Sequence, residues 1–131
     1  MKFQSVYIKG KGRGKNLGFP TINLKIPPNF DLLDGIYAVW VTIGPTTYKG
    51  ALHYGPIPVF KEVNKSLEVY LLNIHEHEAP NPEEEPIEIN VVKKIRDIRS
   101  FDTPELMAKQ IALDVAEINT VLTQLDDNDA D

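Results

Sequence analysis

Between Gly10 and Asn23 the sequence reads Gly-Lys-Gly-Arg-Gly-Lys-Asn-Leu-Gly-Phe-Pro-Thr-Ile-Asn. Gly10, Gly12 and Gly14 alternate with Lys11 and Arg13. Glycine lets the backbone come close to a ligand without a Cβ in the way, and successive N–H groups in such a turn form an anion-binding concavity. Thr21 and Asn23 then offer a hydroxyl and a carboxamide oxygen, hard donors of the kind magnesium accepts. Phosphate plus metal is one reading of the stretch; a flexible basic loop, or a strand with a glycine-rich bend, is the other. The spacing is neither that of a P-loop nor that of a dinucleotide fold.

Glu68 lies inside an otherwise apolar run, where an unpaired carboxylate is costly to bury. Either its face opens to solvent beside a cation such as Lys49, or it is aimed into a cleft as a general base. Arg96 and Arg99 precede Phe101. They are ordinary surface cations, or they close over a phosphate from the side opposite the glycine stretch, a task suited to forked donors. His75-Glu76-His77-Glu78 has metal-capable side chains but misses the His-Glu-x-x-His spacing and falls in a proline-rich stretch, so it reads as a solvated loop. Glu83-Glu84-Glu85 reads as a solvated charge run, and His53 as a structural strand residue. No Ser-His-Asp pattern and no nucleic-acid-type basic patch with stacked aromatics is present.

Elements must hold these groups in place, and 131 residues suffice for one domain with one core. The expected division is a folded unit over 1–125 and an acidic, frayed tail over 126–131. No apolar run approaches the ~20 residues of a membrane span, and Met1-Lys2 leads into a strand-like run rather than a signal peptide. The absence of cysteine excludes disulfides and thiolate chemistry and fits a cytoplasmic setting. A net charge of −5 disfavours nucleic acid as a partner, so the basic cluster from Lys9 to Lys15 suits a small anion.

Phe3 to Lys9 reads as a first strand, and Ile36 to Ile43 as one apolar on both faces. A turn at Gly44-Pro45-Thr46 leads to a strand over Thr47–Tyr54. Gly55-Pro56-Ile57-Pro58 interrupts the pattern. Leu67 to Ile74 resumes it, with Leu67, Val69 and Leu71 on one face and Glu68, Tyr70 and Leu72 on the other. Ile87 to Ile95 alternates, placing Ile87, Ile89, Val91 and Ile95 together, with a break at Val92-Lys93. Thr103-Pro104-Glu105 then looks like a cap and first helical turn. Met107, Ile111, Val115, Ile118, Leu122 and Leu125 form a helical stripe that must lie on the sheet.

The ordered motifs resemble the riboflavin kinase family. Gly10-x-Gly-x-Gly-x-x-Leu17-Gly18-x-Pro20-Thr21-x-Asn23 is similar to its signature, with Ile22 where alanine is usual. Gly35-Ile36-Tyr37-Ala38, Gly55 with Pro58-x-Phe60, Ser66-Leu67-Glu68-Val69, and Ile95-Arg96 with Phe101, Gln110-Ile111 and Asp114 continue the likeness. The resemblance implies a six-stranded Greek-key antiparallel β-barrel with one long C-terminal helix. It implies transfer of the ATP γ-phosphoryl group to the 5′-hydroxyl of riboflavin, giving FMN. Gly10, Gly12, Arg13, Gly14, Pro20 and Thr21 would embrace the nucleotide phosphates; Thr21 and Asn23 would hold Mg²⁺ or another divalent cation. Glu68 would be the catalytic base, and Arg96, Arg99 and Phe101 would form the flavin-side lid.

Two departures bear on flavin contacts: Ile57 stands where a polar residue is common, and the acidic Pro80 to Pro86 stretch replaces a usual Tyr-Gly turn. The nucleotide-transferring domain that often precedes this module is not in this sequence, so no FAD synthesis is expected. A monomer acting on riboflavin and ATP, without nucleic acid or membrane, is the leading expectation. The alternatives are a non-catalytic flavin- or nucleotide-binding β-barrel module, or a barrel that binds an anionic partner through Lys9 to Lys15.

Overall fold

A computed structural model describes residues 1–8, 19–56, 65–72, 74 and 86–124. Six strands and one helix run in the order β1 (Lys2–Ser5), β2 (Thr21–Asn23), β3 (Gly35–Ile43), β4 (Thr46–Pro56), β5 (Lys65–Leu71), β6 (Ile87–Arg96) and α1 (Pro104–Gln124). They form a single antiparallel sheet ordered β1-β6-β3-β4-β5-β2. Strands β3, β4 and β5 pair in succession and β6 returns to the free side of β3, which is a Greek key. The sheet curls until its edge strands approach: Tyr7 bridges Leu24, Ile8 N–H donates to Asn23 O at 2.9 Å, and Lys25 N–H donates to Val6 O at 3.0 Å. This is the six-stranded barrel with a C-terminal helix expected above, left partly open.

Alternation along the strands separates two apolar clusters. Ile22, Leu24, Tyr37, Val39, Val41, Leu52, Leu67, Val69, Leu71, Ile87 and Ile89 fill the concave interior. Ala38, Ala51 and Leu72 on the convex face pack with Ile118 and Leu122 of the helix. Ala38 and Ala51 are directly opposite one another on β3 and β4. Two methyl side chains leave the room a helix needs to approach the sheet. Burying Ile118 and Leu122 there is worth roughly 1.5–3 kcal/mol each. The helix starts as its residues dictate, with Thr103 Oγ1 accepting from the Leu106 N–H at 3.2 Å and Pro104 at the first helical position. Leu125 and the tail over 126–131 lie outside the described residues.

Several strand ends differ from the sequence reading, each for a local reason. β1 stops at Ser5 because the chain there changes partner, from β6 to Leu24. β4 continues through Gly55 and Pro56, paired with Ser66 and Lys65. Its last pair with β3 is Gly35 with Tyr54, so Pro56 has a neighbour on one side only and its missing N–H leaves no gap in a central ladder. Ile95 packs on the helix side with Val92 rather than with Ile87 and Ile89. The register of β6 against β3 shifts twice, between Ala38 and Val39 and again between Ile36 and Tyr37. Each shift is a bulge carrying one extra residue; the first reverses the facing of the strand and the second restores it.

Candidate functional site

Asn23 on β2 stands directly opposite Glu68 on β5. Glu68 in turn stands opposite His53 on β4, His53 opposite Ile36 on β3, and Ile36 opposite Arg96 on β6. Directly opposed antiparallel residues share a face, so these five side chains form one row across the convex side. The row beside it runs Thr21, Tyr70, Ala51, Ala38, Lys93. Period two puts Thr21 on the same face as Asn23, with Ile22 between them turned into the core. Three of the sequence-predicted site residues are therefore brought together: Thr21, Asn23 and Glu68.

Glu68 is only 5% exposed, so the solvated-surface reading of this acid does not hold. Lys49 is not its neighbour: that residue lies opposite Trp40, and its Nζ donates to Thr123 Oγ1 of the helix at 3.3 Å. Thr21 Oγ1 donates to Phe19 O at 3.2 Å, leaving its lone pairs for a further partner. Phe19 stacks parallel to Tyr70, ring centroids 6.3 Å apart, and Pro20 O accepts from Leu71 N–H at 2.9 Å. Ile8 and Phe19, the described residues on either side of the glycine stretch, are thus both anchored beside the Asn23–Glu68 pair. Gly10, Gly12, Arg13 and Gly14 themselves lie outside the described residues, as do Ile57, Pro58, Phe60, the His75–Glu78 run and Glu83–Glu85.

Arg96 belongs to a second cluster. At about 4.8 Å per strand, it sits roughly 14 Å along the row from Glu68, beyond reach of the carboxylate. Its Nε donates to both Asp114 carboxylate oxygens, at 2.9 and 3.0 Å, and Nη2 is 2.8 Å from Oδ2. Nη1 donates to Asp97 O at 3.0 Å. Gln110 Nε2 donates to Asp114 Oδ1 at 2.9 Å, and Arg99 Nη2 donates to Gln110 Oε1 at 2.5 Å. Both guanidiniums lie 5.8 Å from the centre of the Phe101 ring, within cation–π range. The connector between β6 and α1 is thereby fastened to the helix, and beside it Arg99, Phe101, Leu106, Gln110 and Leu113 line a shallow depression of about 350 Å³.

The donors on the first cluster suit a divalent cation. A hydroxyl and a carboxamide oxygen two residues apart on one face, opposite a carboxylate, are all hard oxygen ligands, and magnesium completes its shell with water and phosphate oxygens. No group of three or more His, Cys, Asp or Glu able to hold a metal occurs among the described residues. His53, expected as a structural strand residue, is placed directly opposite Glu68. Its adjacency to Glu68 depends on β4–β5 register, and the signal available was a polar residue on the same parity as Ala51 in a half-apolar strand.

The chain matches the riboflavin kinase (flavokinase) family over residues 1–122. It is 34% identical over 110 residues to the RNA-binding riboflavin kinase RibR of Bacillus subtilis, covering 83% of this chain and 46% of that protein. It is 35% identical over 111 residues to the bifunctional riboflavin kinase/FMN adenylyltransferase of Buchnera aphidicola, covering 82% of this chain and 34% of that one. It spans less than half the length of these relatives. One of them is named as RNA-binding, which bears against the charge-based expectation of no nucleic-acid partner. In fold, it superposes on riboflavin kinase from Trypanosoma brucei with a TM-score of 0.69 at 20% identity, over 95% of this chain and 80% of that one. A macrolide-efflux protein from Streptococcus pneumoniae gives 0.75 at 23% identity, over 90% and 38%. No helix among the described residues is long and apolar enough to cross a membrane. On the family match over residues 1–122, the chain belongs to the riboflavin kinase family.

Proposed function

We propose that this chain phosphorylates riboflavin at its 5′-hydroxyl, using ATP and a divalent cation. The observation that carries the reading is the pairing of Asn23 with Glu68: a buried carboxylate shares one face with two hard-oxygen donors. Thr21 and Asn23 are the residues that would hold the cation, and Gly10, Gly12, Arg13 and Gly14 are those that would meet the phosphates. The cation, when bound, neutralises charge on the transferred phosphoryl group. Riboflavin bound with its polyol toward the Asn23–Glu68 pair brings its terminal hydroxyl to Glu68. Glu68 accepts the hydroxyl proton as that oxygen bonds to the γ-phosphorus. The bond from the γ-phosphorus to the bridging oxygen breaks, ADP leaves, and the proton passes on to solvent. Burial fixes the carboxylate and excludes water from competing as the nucleophile. Positioning and charge neutralisation supply most of the rate.

Incubation with riboflavin, ATP and Mg²⁺, followed by mass detection of FMN, tests the activity. FMN that depends on both ATP and the cation is the expected result. Riboflavin binding with no FMN formed selects the non-catalytic binding module instead.

A further inference from the structure

Ser66 and Gly55 are the next directly opposed pair on the face that carries Glu68 and His53. Gly55 brings no side chain, and the space beside it is filled from the β6–α1 connector: Ile98 Cγ1 stands 3.2 Å from where a Cβ on Gly55 would be. On the other flank of the Glu68–His53–Ile36–Arg96 row, Ala51 and Ala38 are covered by Ile118 and Leu122 of α1. The row is therefore a lane along the sheet between the helix and Ile98, with Glu68 at one end. At the other end Arg96 joins the two walls. Its Nε donates to both carboxylate oxygens of Asp114 on the helix, and its Nη1 donates to Asp97 O, the residue before Ile98, at 3.0 Å. Asp114 is buried and also accepts from Gln110 Nε2 at 2.9 Å, so the anchor at the helix end is fixed by two side chains.

A substrate whose hydroxyl meets Glu68, with phosphate on the Thr21–Asn23 side, has the rest of its length on the side away from β2, where the lane runs. We propose that Asp114 is a positioning residue for riboflavin: through Arg96 it holds the connector at Asp97 and Ile98 as the far wall of the lane that takes the flavin ring system. The inference rests on the kinase reading above. Asp114 acts through Arg96 and on the ring end of the substrate, so its loss weakens riboflavin binding and spares the chemical step.

The test measures riboflavin affinity by flavin fluorescence, and kcat and both KM values for FMN formation. The chains compared are the intact protein, Asp114→Asn, Arg96→Lys, the double variant, and Gly50→Ala as a control destabilised in the core and away from the lane. Thermal unfolding sets an assay temperature at which each variant stays folded. Asp114→Asn and Arg96→Lys are each expected to raise the riboflavin Kd and KM by about tenfold, the scale of one hydrogen bond to a charged group. The ATP KM and the kcat at saturating riboflavin are expected to stay within about threefold of the intact chain. The double variant is expected to be no weaker than the weaker single variant, since both act through one contact. Gly50→Ala is expected to leave the riboflavin Kd within about threefold. A riboflavin Kd unchanged in both single variants, full additivity in the double variant, or an equal rise in Gly50→Ala overturns the positioning role while FMN formation by the intact chain upholds the kinase reading. Either single variant alone reads the wall, so the unfolding of one does not remove the test. No FMN from the intact chain, with riboflavin binding still weakened in Asp114→Asn, retires the kinase reading and keeps the wall.

Discussion

Replacing Asp114 by asparagine isolates the contact that ties the connector before α1 to the helix. Asp114 and Arg96 keep 6% and 16% of their side-chain area exposed, so they belong with buried ion pairs rather than surface ones. An exposed pair is worth about 0–1 kcal/mol. Removing one partner of a buried pair costs about 3–5 kcal/mol, because the remaining charge stays desolvated without its counter-charge. The near-isosteric amide keeps volume and one acceptor, and Arg96 Nη1 keeps its bond to Asp97 O, so the expected loss lies at the lower end, about 3 kcal/mol. For a domain of this size that corresponds to a melting temperature lower by on the order of 10 °C. Urea unfolding followed by the fluorescence of Trp40 gives the free energy directly. Arg99→Ala is the control: it removes the exposed bond to Gln110 and the contact with the Phe101 ring, and is expected to cost about 1 kcal/mol. A loss below about 1 kcal/mol in Asp114→Asn, no larger than that of the control, refutes the assignment of Arg96–Asp114 as a buried clamp.

Three further outcomes follow from other residues. Gly50→Ala places a Cβ 2.8 Å from Val41 Cγ2 and 3.1 Å from Val39 Cγ2 and Val69 Cγ1. Overpacking of this kind is expected to cost about 1–3 kcal/mol in urea unfolding. Thr103→Ala removes the helix cap and is expected to cost about 1 kcal/mol, read as faster amide exchange in the first turn of α1. Lys94 bonds Asp97 at 2.6 Å, which holds the Asp97 carboxyl below its ordinary value. A depressed acid stabilises the fold above its unfolded pKa and loses that contribution as pH falls through the folded one. Stability is therefore expected to fall less steeply on acidification in Lys94→Ala than in the intact chain, by a small margin because Asp97 is 86% exposed.

Sequence alone revealed what depends on local periodicity. The cap at Thr103, the stripe through Ile118 and Leu122, and the opposite facing of Val69 and Glu68 all follow from spacing along one element, and the structure has each. Glu68 stood out because an acid broke an apolar strand. Its partner could not be read the same way: Asn23 is 45 positions earlier, and only the β2–β5 register sets them opposite. The pairing of His53 with Glu68 likewise depends on the β4–β5 register and not on local spacing. Asp114 falls one position before Val115, at a helical spacing that directs it to the sheet, yet its role needs Arg96, whose facing is fixed by two bulges. The break at Val92-Lys93 marks the first bulge in the sequence; nothing marks the second, so alternation alone puts Ile95 on the wrong face. Pro56 interrupts the pattern in sequence but not in the structure, because strand order, which leaves that end of β4 with one neighbour, is not a property of the local sequence.

The pairing of Asn23 with Glu68 is the centre of the account, and single-turnover phosphoryl transfer probes it most directly. Enzyme in excess over riboflavin is mixed with ATP and Mg²⁺, and FMN is quenched and counted with time for the intact chain and for Glu68→Gln. Riboflavin affinity is measured separately by fluorescence. The account predicts a chemical step slowed by about a hundredfold or more in Glu68→Gln, with riboflavin affinity changed by less than about threefold. An unchanged single-turnover rate in Glu68→Gln contradicts it.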